Sequence, residues 1–161
     1  MKKTILAGDL SLACSAFAVM TFDTDTKEID VLKVTHVKTN SKQVLGERLL
    51  QIHTLTDGLL TDYPIDEIVI EKGFNRYATA TQQIQRVVGV FVITIYSKGF
   101  EQYYEISPTS VKKAITTNGK ASKEELAEGL EKYVGALTYR TNDESDSVGV
   151  GIAHAINQKW L

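Results

Sequence analysis

Thr4-Ile5-Leu6-Ala7-Gly8-Asp9 is a short apolar run that stops at an acid. It reads as a first β-strand with Asp9 at its carboxyl end. An unpaired carboxylate in a dry site loses its hydration, so an acid that ends an apolar strand needs a partner. Outward from this run, residues 15–22 and 27–37 flank the turn-like Asp23-Thr24-Asp25-Thr26, which predicts three strands joined as a meander. Asn40 with Gln43 three residues on reads as a capping pair, followed by Leu45, Leu49, Ile52, Leu55 and Leu59 at helical spacing. Residues 65–71 form a compact buried strand around Ile68-Val69-Ile70, with Glu71 at its carboxyl end. A helix over 75–88 leads through Gly89 into residues 90–96, a β-branched and aromatic run that predicts a core strand.

Beyond that run, Ser107-Pro108 is a helix start, with proline at the position where its missing donor costs nothing. The helix ends near Thr117-Asn118-Gly119. Ser122 with Glu125 forms a capping box ahead of Leu126, Leu130, Tyr133, Val134 and Leu137. A last helix begins near Asn142 and carries Val148, Ile152, Ala155 and Ile156 as its apolar stripe. Asp143 and Asp146 stand three apart there and share a face. The order β-β-β-α-β-α-β, then helices, predicts an α/β fold. Its mixed five-stranded sheet, a three-strand meander plus two parallel strands, would be flanked by helices, with strands one and four as parallel neighbours. Without repeats or Pro/Gly linkers, the expectation is a single domain over 1–161.

Composition excludes more than it suggests. The formal net charge of −2 carries no global signature of nucleic-acid binding, so any such contact must come from local basic clusters. The one cysteine, Cys14, cannot form an internal disulfide, and a reducing cytosol is the simplest setting. Met1-Lys2-Lys3 and the apolar residues up to Cys14 imitate an export signal, but Asp9 interrupts a stretch that is already too short. No apolar run is long enough to span a bilayer.

The chemistry lies in the acids. Asp9, Glu71, Asp143 and Asp146 each sit where a predicted element meets a polar break. In open α/β sheets, ligands gather beyond the carboxyl ends of strands, and the last helix can bring Asp143 and Asp146 over the same edge as Asp9 and Glu71. Mg²⁺ prefers oxygen ligands and keeps several waters, so a few carboxylates plus a substrate phosphate suit it. Two such ions about 3.5–4 Å apart hold the attacking water and the leaving oxygen of a phosphodiester. Mn²⁺ suits the same ligands. Taken singly, each acid reads equally well as a strand end or a helix cap; four together point to metal. Lys112, Lys113, Lys120 and Lys123 cluster around a helix-helix break where phosphates can be held, although alone they read as a solvated turn. Phe74 follows Glu71 by three residues and can stack on an unpaired base or serve as a buried staple. His36, His53 and His154 share no motif and read as structural.

Ile5-Leu6-Ala7-Gly8-Asp9-Leu10-Ser11, Ile68-Val69-Ile70-Glu71-Lys72-Gly73-Phe74, the stretch from Val111-Lys112-Lys113 to Lys123, and Asp143-Glu144-Ser145-Asp146-Ser147 resemble, in order, the motifs of RuvC-type Holliday junction resolvases. The resemblance implies a ribonuclease H-like fold, a homodimer and magnesium-dependent incision of four-way DNA junctions. By position it implies that Asp9, Glu71, Asp143 and Asp146 are the catalytic, metal-binding acids. It also adds weight to Lys112 or Lys113 and to Lys123 as transition-state stabilisers. Leu10 replaces the proline usual after the first aspartate, and the helix after Phe74, similar to the family's dimer helix, is polar here. The chain is compact, more like phage-encoded members than bacterial ones, and dependence on a branch-migration complex is not implied. Two other readings stand: a junction-binding protein with weak or no nuclease activity, and a sugar-kinase or actin-like ATPase, whose two lobes need far more chain.

Overall fold

In the computed structural model, which describes residues 1–73 and 78–161, the sheet has the order β3-β2-β1-β4-β5. Strands β1 (Lys2–Asp9), β2 (Cys14–Asp23) and β3 (Ile29–Lys38) form the antiparallel meander. β4 (Glu67–Glu71) joins β1 in parallel, with Ala7 opposite Val69 and Gly8 opposite Ile70. β1 is therefore central, and its carboxyl end lies beside that of β4. This is the mixed five-stranded arrangement that the sequence predicts.

Alternation along the strands separates two cores. Ile5, Ala7, Ala18, Met20 and Val69 face α3 (Pro108–Thr116), α4 (Lys123–Val134) and α5 (Asn142–Asn157). Leu6, Phe17, Val19, Ile68 and Ile70 face α1 (Leu45–Asp62) and α2 (Ala78–Ser97). Asp9 and Glu71 continue the Ile5-Ala7 and Val69 rows by two residues each, which turns both acids toward the α5 side. α5 lies close to the sheet because Gly151 has no side chain: a Cβ there would stand 2.6 Å from Met20 Sδ and 3.3 Å from Ala7 Cβ. Gly151→Val should overpack this contact and lower stability by about 1–3 kcal/mol in urea denaturation.

Two sequence expectations are corrected. Residues 90–96 are helix, not strand: they complete α2, and Val87, Phe91, Thr94 and Ile95 are buried at helical intervals. β-Branched residues follow strand propensity only when tertiary packing does not decide, and here the buried face repeats every three to four residues. The fifth strand is instead β5, Tyr104–Ile106, parallel to β4. Asn40 and Gln43 do not cap α1, whose N-cap is Val44 with no side-chain bond. They close the turn before it, Asn40 N donating to Gln43 Oε1 at 3.2 Å and Gln43 N to Asn40 O at 3.0 Å. The starts predicted at Ser107, Ser122 and Asn142 hold, and the one predicted at residue 75 lies outside the described residues. Ser107 Oγ accepts from Ser110 N, and Ser122 with Glu125 makes a full capping box. Among the described residues, no helix is long and apolar enough to cross a membrane.

Candidate active site

Three elements meet at the carboxyl edge of β1. Asp9 ends β1, Glu71 ends β4, and the first two turns of α5 supply Asp143 and Asp146. α5 starts at Thr141, whose hydroxyl accepts from Glu144 N at 3.2 Å. One carboxylate oxygen from each of Asp9, Asp143 and Asp146 lies within 4.8 Å of the other two. Glu71 falls outside that triplet but is close enough to Asp9 and Asp146 for their charges to interact. None of the ion pairs among the described residues involves these four acids.

The acids repel one another in a half-dry site. Burial first, and then the charges of Glu71, Asp146 and Asp143, push Asp9 up to about 8, with Lys123 opposing. Burial and then Asp146 push Glu71 up to about 7, against Lys112 and Lys123. Asp146 is raised by burial and by Asp143, again against Lys123 and Lys112. Without a cation, carboxylates packed this way hold protons; a divalent ion reverses that preference. All-oxygen donors from three elements, with no lysine or arginine among the described residues in an ion pair with them, fit a hard divalent metal.

The lysines separate by position. Lys112 and Lys123 line a 100 Å³ cavity with Glu71 and Asp146. Lys113, one residue on, lies instead against Ile156 and Asn157 at the far end of α5, roughly 20 Å along that helix from Asp143. Lys120 is exposed in the α3–α4 connection, where its N–H donates to Asn118 Oδ1. Phe74 lies outside the described residues.

Three residues near the acids escaped the sequence reading. Cys14, given no role there, lies beside Asp143; burial and that acid push its thiol up to about 12, so it stays protonated. His36 and Glu144 form a hydrogen-bonded pair at 2.7 Å. Burial would raise Glu144, but bonds from His36 and from the Arg140 amide outweigh it and hold the carboxyl below its ordinary range. A signal was available: Glu144 stands four residues before Val148, on the apolar stripe of α5, where an acid requires a buried partner. The remaining histidines are structural, as expected. His53 bonds Thr94, and His154 bonds Glu67 between the rings of Tyr104 and Trp160.

Clustered acids at the ends of two parallel strands and the start of the last helix of a mixed α/β sheet fit metal-dependent phosphodiester chemistry. The family model of the crossover junction endodeoxyribonuclease RuvC matches residues 5–154. The chain belongs to this family, whose members are Holliday junction endonucleases. The crossover junction endodeoxyribonuclease RuvC of Ehrlichia chaffeensis is 34% identical over 156 residues, covering 96% of this chain and 97% of that one. That of Ehrlichia canis is 32% identical, covering 82% and 85%. These bacterial relatives are as compact as this chain. Thermus thermophilus RuvC, solved in complex with a Holliday junction substrate, superposes with a TM-score of 0.89 at 20% identity, covering 98% of this chain and 95% of that one. The yeast mitochondrial Holliday junction resolvase matches at 0.66 and 12% identity, covering 98% and 80%.

Proposed function

We propose that this chain resolves four-way junctions by magnesium-dependent phosphodiester hydrolysis, nicking two strands symmetrically as a homodimer. It acts as one nuclease domain in the cytoplasm of a bacterial or phage-infected cell. The observation that carries the reading is the clustered triplet of Asp9, Asp143 and Asp146 oxygens with Glu71 beside it, in a chain of this family.

In this reading Asp9, Glu71, Asp143 and Asp146 would hold the Mg²⁺ ions, and Mn²⁺ would substitute. Bound there, the ions would supply an acidified water and neutralise charge on the leaving oxygen. The chain's part is to hold its oxygens in place, exclude bulk water from Asp9, and set Lys112 and Lys123 against the phosphate. Lys123→Ala is expected to slow incision by roughly 10²-fold, as for loss of one preorganised donor to developing charge, whereas Lys113→Ala alters the rate little. Single-turnover cutting of a labelled junction measures both. Lys120, and Phe74 by its place in the sequence, would contact the DNA backbone and an unpaired base.

The dimer reading rests on α2. Its outer face exposes Val92, Ile93 and Tyr96, the last two at 63%, in line with Gly89 and the polar Gln82, Gln85 and Arg86. An exposed apolar stripe of this kind marks an interface, and a two-fold contact through it would duplicate the site for two strands.

The test incubates purified protein with labelled four-way junction, fork and linear duplex, with and without Mg²⁺. Paired symmetric nicks in the junction, dependent on metal, are expected. Junction-independent degradation, or full activity in chelator, overturns the reading.

A further inference from the structure

Asp143 sits in the first turn of α5, the part of a helix with fewest backbone bonds, Asp146 opens the next turn, and the two repel one another. Left to itself that turn would splay away from Asp9. Between them stands Glu144, buried to 3% exposure and held at every polar atom. Its Oε1 accepts from His36 Nδ1 at 2.7 Å and its Oε2 from Arg140 N at 2.7 Å. Its own N–H donates to Thr141 Oγ1, and its carbonyl accepts from Ser147 Oγ. His36 lies on β3 opposite Ala16, and Ala16 lies on β2 opposite Asp9. The three therefore form one cross-strand row on the α5 face of the sheet.

We propose that the His36–Glu144 pair is a positioning device that ties the first turn of α5 to the row carrying Asp9, and so sets the spacing of the metal-ligating acids. This rests on the metal-site reading above. A buried polar pair is weak evidence for stability, and fixing one geometry is its best-attested use. Neither residue touches the metal or the phosphodiester; both act through Asp143 and Asp146.

The test measures Mn²⁺ binding to the DNA-free protein by titration calorimetry, together with junction incision against Mg²⁺ concentration, for wild type, Glu144→Ala, Glu144→Gln and His36→Ala. Glu144→Ala is expected to weaken Mn²⁺ binding by about 10–100-fold, the usual effect of losing a group that orients metal ligands. Junction affinity in chelator should stay unchanged, and incision should return toward the wild-type rate at high Mg²⁺. Glu144→Gln should recover most of the loss, because its amide oxygen can accept from Arg140 N while its NH₂ donates to His36. Wild-type Mn²⁺ affinity in Glu144→Ala, or a rate loss that neither metal nor glutamine restores, overturns the positioning role. If Glu144→Ala does not fold, unchanged Mn²⁺ affinity in His36→Ala overturns it instead, and weakened affinity there supports it. Wild-type protein that binds no Mn²⁺ overturns the metal site itself and this proposal with it, so the two failures are distinguishable.

Discussion

Asp9→Asn is expected to cut the incision rate by on the order of 10³-fold while junction affinity in chelator is unchanged. The side chain keeps its shape and loses the charge at the centre of the acidic group. Metal-based charge stabilisation is worth several kcal/mol, and each 1.36 kcal/mol is tenfold in rate. The variant should also be more stable than wild type without metal at pH 9. An aspartate raised to about 8 binds its proton more tightly folded than unfolded, so above that pH its charge opposes folding, and asparagine removes the penalty. Single-turnover incision, a mobility-shift assay and thermal melts measure the three effects. Equal cutting by both proteins would move catalysis away from Asp9.

The Mg²⁺ concentration for half-maximal incision should rise by on the order of 10³ between pH 9 and pH 6. Metal binds the ionised carboxylates, so protons compete with it. With Asp9 near 8 and Glu71 near 7, at pH 6 roughly 1% of the first and 10% of the second would be ionised. The two acids are coupled and share protons, so the dependence belongs to the pair. Ordinary carboxylates, which titrate near 4, would give a flat Mg²⁺ requirement over this range. A flat requirement would therefore show that the acids do not hold protons in the metal-free state.

Much of this was legible in order along the chain. The apolar run in 4–9, the compact run around Ile68-Val69-Ile70 and the order of elements gave parallel neighbours, and side-chain period then turns Asp9 and Glu71 to one face. Ser107-Pro108 and Ser122 with Glu125 marked helix starts because capping is a local hydrogen-bond requirement. Residues 90–96 misled for the opposite reason. Valine, isoleucine and tyrosine favour strands weakly, whereas the groove between β-sheet and α1 selects a helix that buries Phe91, Thr94 and Ile95. Asn40 and Gln43 misled similarly, since the same hydrogen bonds close a turn as readily as they cap a helix.

By itself the sequence determined which residue types stand where elements end, and hence that acidic side chains are carried on β1, β4 and the start of α5; local propensity and side-chain period suffice for that. Only the tertiary structure decided which lysines face the acids, that Cys14 lies beside Asp143, and that Glu144 turns inward to His36. Those relations join residues far apart in the chain, and they follow from how closely α5 settles on the sheet at Gly151, a packing distance that no local pattern encodes.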